Sequence, residues 1–144
     1  MGLFDWLTGG NKTDEKVSRA PRGSAPFKIT YKFSPLRLKA HKDSKVNMVI
    51  TVTNTSGAKQ LTSVDLNLPK GNKTGLDTSS NQKQHEARLG ELGAGESKSF
   101  SVNIYGSPMT KRAEIPIKII AYAHYLNYKK VLEQTSKTAK LRVI

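Results

Sequence analysis

No cysteine occurs in the 144 residues, which removes structural disulfides, thiol nucleophiles and cysteine-ligated zinc from consideration. Acidic residues are scarce: 11 Asp and Glu stand against 24 Lys and Arg, a formal charge of +13. Aromatic residues make up 7% of the chain, and Trp6 is the single tryptophan. No apolar run approaches the ~20 residues of a membrane-spanning helix, and the start lacks the basic region and cleavage site of a secretory signal. The histidines, His41, His85 and His124, have no carboxylate or second histidine at ligand spacing, so no metal and no cofactor are expected. The carboxylates are scattered in sequence and form no close pair for acid–base work. Neither a nucleophile elbow nor a phosphate loop is present. A non-enzyme without a small-molecule substrate is the expectation.

Against these absences stands a strong period of two. In Lys45–Leu68, Val46, Met48, Ile50 and Val52 are apolar at alternate positions, with Asn47, Thr51 and Thr53 polar between them. That spacing places the two sets on opposite faces of a β-strand. Asn54-Thr55-Ser56-Gly57 supplies turn formers, and Val64, Leu66 and Leu68 then alternate with Ser63, Asp65 and Asn67. A strand pair with one apolar face needs an opposing wall.

The remaining chain provides it. Phe27, Ile29, Tyr31 and Phe33 alternate with Lys28, Thr30 and Lys32; Ser34-Pro35 interrupts, and Leu36, Leu38 and Ala40 resume against Arg37, Lys39 and His41. A long loop, 69–83, precedes a short strand with Ala87 and Leu89, a Gly93–Glu96 turn and a strand with Phe100, Val102 and Ile104. Glu114–Leu126 is the longest apolar run, with Ile115, Ile117, Ile119, Ala121, Ala123 and Tyr125 on one face. Pro116 and the isoleucines around Lys118 oppose a helix there and favour a central strand. Ala139, Leu141 and Val143 point inward from the last strand. About seven strands with no internal helix predict an all-β fold, a single immunoglobulin-like antiparallel β-sandwich, with a small barrel such as the OB type as the alternative.

The segments VNMVITVTNTSG, LTSVDLNLP and LGELGAGESKSFSVNIYG resemble the small immunoglobulin-like domains of archaeal and bacterial proteins, the CARDB-type and related groups. The resemblance spans Phe27 to Ile144 and implies the sandwich. It says little about function, because such folds host many roles.

The organisation is therefore an amphipathic N-terminal segment (1–10), a flexible basic linker (11–26) and a sandwich domain (27–144). As a helix, the first segment places Leu3, Phe4 and Leu7 on one face with Trp6 at its edge. These four are the expected contact with a membrane interface or a partner, and self-association through them is the rival. Asn11, Asn54 and Asn72 each begin a glycosylation-type triplet, read here as turn chemistry.

Residues 16–45 hold nine Lys and Arg against Asp43 alone, and Lys28, Lys32, Arg37, Lys39 and Lys42 form the expected anion-binding face. Charge alone does not choose among anions. Tyr122, Tyr125 and Tyr128 near Lys129 and Lys130 suggest a surface for single-stranded nucleic acid, but Tyr122 and Tyr125 have opposite parity. The chain reads as a cytoplasmic adaptor, peripheral to the inner membrane face or bound to a protein partner, with nucleic-acid binding as the alternative.

Overall fold

The structure, a computed structural model, describes residues 26–144. The N-terminal contacts expected of Leu3, Phe4, Trp6 and Leu7 lie outside the described residues, as does nearly all of the linker. Eight strands follow in order: β1 (Phe27–Ser34), β2 (Arg37–Leu38), β3 (Ser44–Asn54), β4 (Gln60–Asn67), β5 (Gln84–Leu92), β6 (Ser97–Gly106), β7 (Ala113–His124) and β8 (Val131–Val143). No helix occurs among the described residues. One sheet has the order β1-β3-β6 and the other β2-β8-β7-β4-β5. All pairings are antiparallel except that of β2 with β8. This is the expected immunoglobulin-like sandwich; two separate sheets exclude the barrel, and the two-residue β2 raises the strand count from seven.

The alternation explains the core. Val46, Met48, Ile50 and Val52 of β3 are fully buried, as are Ile117, Ile119 and Ala121 of β7 and Leu141 and Val143 of β8. All belong to one apolar cluster. The run Ala113–His124 is a central strand between β8 and β4, and its outer face keeps Ile120 and Tyr122 half-covered.

The two motifs that carried the family resemblance bond to each other. Asn54 accepts Gly95 N–H at its carbonyl and donates its own N–H to Glu96 O, both within 2.9 Å. Its buried side-chain amide donates to the carbonyls of Ala58 and Leu92, and its Oδ1 accepts from the Ser56 N–H and hydroxyl. Glu96 closes its own turn by accepting from Gly93 N–H at 2.7 Å. Asn54 is thus turn chemistry, and so is Asn72, whose amide bonds both backbone groups of Lys111.

Two inward assignments are corrected. Leu36 is 72% exposed: Ser34-Pro35 ends β1, and the chain reaches the other sheet only at Arg37–Leu38, so parity is not carried across the break. Tyr125 is exposed because β7 ends at His124, after a register shift between Ala123 and His124. Such irregularities re-aim the side chains that follow.

Candidate anion-binding pole

Three loops meet at one end of the sandwich. Residues 35–43 join β1 to β3 through β2, residues 68–83 join β4 to β5, and residues 107–112 join β6 to β7. They are bonded into one surface. His41 N–H donates to Thr110 O at 2.8 Å, and the buried Thr110 hydroxyl donates to Lys73 O at 2.8 Å. Gly75 exchanges backbone bonds with Tyr105, which covers the free edge of β6. A Cβ at Gly75 would lie 2.6 Å from Ser80 Cα, so only glycine allows this approach. Asp77 holds the rest of the long loop by accepting from Ser79, Asn81 and Gln82. The Ser79 hydroxyl, followed by the backbone bonds, holds that carboxyl below the usual range.

The charge on this surface is one-sided. Arg37, Lys39 and Lys42 come from the first loop, Lys70, Lys73 and Lys83 from the second, and Lys111 and Arg112 from the third; Asp43 and Asp77 are the acids. Two of these cations, Lys73 and Lys83, stand close to each other. Burial, and then the neighbouring Lys73, pushes the Lys83 ammonium below its usual range, and that ammonium donates to Thr74 O. Among the cations sit apolar side chains that avoid the core: Leu36, Met109 at 67% exposure, and the half-exposed Ile144. Pro35, Leu36, Ile144 and the flanks of Arg37 and Lys39 line a shallow apolar hollow.

The five cations expected to share a face divide. Arg37, Lys39 and Lys42 lie at the pole. Lys28 and Lys32 point outward from β1, on the three-stranded sheet. There they flank a hydroxyl-rich surface in which Thr51 pairs with Ser99 at 2.7 Å and Thr53 with Ser97 at 2.6 Å. Lys70, Lys73, Lys83, Lys111 and Arg112 escaped the sequence reading because they belong to two loops distant in sequence from the first. The signal that could have found them is a Lys or Arg pair in each turn on the same side of an alternating strand order.

One pairing of nucleophile and base types does occur. The Ser63 hydroxyl lies 2.6 Å from His124 Nε2, and His124 Nδ1 lies 3.2 Å from Lys130 O. A carbonyl only accepts, so Nδ1 carries a proton and Nε2 of the neutral ring accepts from Ser63. Ser63 is 1% exposed and His124 6%. The pair ties the β7–β8 hairpin to β4, and both residues line a recess on the outer face of the five-stranded sheet.

Fold and pole together define an immunoglobulin-like β-sandwich with a cationic end. Comparison with solved structures agrees on the fold. The chain superposes on native E. coli alpha-2-macroglobulin with a TM-score of 0.56 and 16% identity over 90% of its own length, spanning 7% of that chain. It also matches AvmM, which catalyzes macrocyclization in alchivemycin A biosynthesis, with a TM-score of 0.53 and 8% identity, over 82% of this chain and 88% of that one. At such identities the likeness concerns the fold alone. No protein-family model matches the chain, and no curated protein does.

Proposed function

We propose that this protein is a non-enzymatic adaptor that docks on an anionic membrane face, on the cytosolic side, through its basic pole. The observation that carries the reading is the convergence of three bonded loops into a surface that mixes cations with exposed Leu36 and Met109. A bilayer interface rewards both. Each Lys or Arg beside an anionic surface contributes about 1 kcal/mol. Apolar side chains that enter the acyl boundary add up to about 1.5–3 kcal/mol each on full burial. The segment with Leu3, Phe4, Trp6 and Leu7 is then a second anchor, in keeping with the need for two signals in stable peripheral binding. Kinship with the CARDB-type domains is part of this reading, supported by the mutual bonding of the Asn54 and Gly93–Glu96 motifs.

Nucleic-acid binding is the second reading. It is favoured by the Lys28 and Lys32 flank, where lysines and hydroxyls suit phosphate oxygens. Co-sedimentation separates the two. The full chain is expected to sediment with vesicles containing phosphatidylserine and not with pure phosphatidylcholine, and a chain beginning at Ser24 is expected to do so more weakly. No sedimentation of either chain on the anionic vesicles removes the membrane reading. A salt-sensitive mobility shift with an oligonucleotide, in that event, puts the second reading first.

A further inference from the structure

Away from the basic pole, the outer face of the five-stranded sheet holds a recess of about 250 Å³, lined by Ser63, Asp65, Glu86, Tyr122, His124, Tyr128 and Val131. Asp65 of β4 lies directly opposite Glu86 of β5. Like charges at such a position destabilise a strand pair, and neither carboxylate belongs to the core. Glu86 reaches Arg88 at 3.5 Å, with both side chains largely exposed. Asp65 has no Lys or Arg within ion-pair distance among the described residues.

The walls of the recess are fixed by their own bonds. The Tyr122 phenol stands beside Asp65 and favours its ionised form. Tyr128 stands edge-on to His124 with 5.2 Å between ring centres, and its hydroxyl accepts from Gly90 N–H at 3.1 Å. The face of the Tyr128 ring already takes a cation, the Arg88 guanidinium, 4.8 Å from its centre. Beside the recess, the β7–β8 hairpin presents Tyr125, Leu126, Val131 and Leu132 to solvent. An acidic, aromatic hollow with an apolar rim, in a chain of charge +13, is a local inversion of the molecule's chemistry.

We infer that this recess binds the ammonium group of a lysine side chain presented by a partner polypeptide, with the hairpin's apolar residues taking the side chains next to that lysine. The acceptors of Asp65 and Glu86 come from two strands, and a compact ammonium with three donors meets them better than a planar guanidinium fork. The lysine's methylene stem lies along Val131 and the tyrosine rings. A metal ion fits less well, since the described residues contain no group of three His, Asp or Glu placed to hold one. The inference does not depend on the membrane reading, because recess and pole are separate surfaces.

The test is a titration of the isotope-labelled full chain, followed by amide NMR, with Nα-acetyl-lysine N-methylamide. The uncharged norleucine analogue of the same shape is the control. The lysine probe is expected to give saturable shifts centred on Ser63, Asp65, Glu86, Tyr122 and Tyr128, and the norleucine probe none. Glu86→Gln, at an exposed position, is expected to weaken binding roughly tenfold by removing a charge-assisted bond, and Asp65→Asn likewise. The inference is overturned if the lysine probe gives no saturable shift at tens of millimolar, if both probes act equally, or if both variants, with spectra otherwise unchanged, bind as the parent does.

Discussion

Asp65 faces Glu86 across neighbouring strands, and burial, followed by that neighbour, holds its carboxyl above the usual value of 3.8. The native state therefore binds the Asp65 proton more tightly than the unfolded chain. The ionised carboxylate costs stability at neutral pH, and the cost disappears as pH falls through the raised value to below 3.8. Asp65→Asn keeps an acceptor for Tyr122 and removes the charge. It is expected to raise the melting temperature at pH 7, with the gain shrinking to nothing near pH 3.5, about where the unfolded carboxyl is itself protonated. Equal gains at both pH values would remove the electrostatic explanation. Leu126 shows a second local cost: it sits at φ 67° with 75% of its surface exposed. A left-handed backbone disfavours a bulky residue by about 1–2 kcal/mol, and asparagine tolerates it better. Leu126→Asn is expected to stabilise the fold by about 1 kcal/mol in chemical denaturation. A residue that serves neither backbone nor core at this place is in keeping with a surface kept for contact.

Both open sides of the sandwich are closed by the same device, a lysine that crosses from one sheet to an edge carbonyl of the other. Lys137 of β8 donates to Ile29 O of β1 at 3.0 Å, and Lys98 of β6 donates to Leu89 O of β5 at 2.8 Å. The first matters more, because β2 pairs with only Arg142 and Val143 and leaves the rest of β8 as an edge. An inserted charge blunts such an edge against pairing with another chain. Lys137→Met is expected to cost about 1 kcal/mol and to produce concentration-dependent association in sedimentation velocity. A variant that stays monomeric and loses only stability would limit Lys137 to a structural bond. The strands themselves were legible because their period of two survives in the residues: Val46 to Val52 and Ile115 to Ala123 read directly as inward faces. What was not legible arises at breaks in that period. The register shifts at Thr62/Ser63 and Ala123/His124 bring Ser63 and His124 together from 61 positions apart. Asp65 and Glu86 likewise look scattered in sequence and become neighbours only through the β4–β5 register.

Across the whole molecule the charge is sorted by end. The pole formed by loops 35–43, 68–83 and 107–112 carries Arg37, Lys39, Lys42, Lys70, Lys73, Lys83, Lys111 and Arg112 against Asp43 and Asp77; the opposite loops, 55–59, 93–96 and 125–130, carry Lys59, Lys129 and Lys130 against Glu96. A molecule sorted in this way has a preferred orientation in any anionic field. Two charge-matched variants turn that into a measurement. Lys111→Glu with Arg112→Glu acts at the pole; Lys28→Glu with Lys32→Glu acts on the flank of the three-stranded sheet, where Lys28 lies six residues, about 20 Å, from the pole end of its strand. Both change net charge equally, so a general attraction would weaken equally. Docking through the pole removes two contacts of about 1 kcal/mol each and adds repulsion, a loss of at least about 30-fold in affinity for phosphatidylserine vesicles. The flank variant, with Lys28 beyond a screening length of about 8–10 Å but Lys32 only two residues, about 7 Å, from the pole end of the strand, is expected to lose no more than about fivefold, the worth of one such contact. The opposite ranking on an oligonucleotide would mark the flank as a nucleic-acid surface, and equal losses on vesicles would show that net charge, and not the pole, governs the attraction.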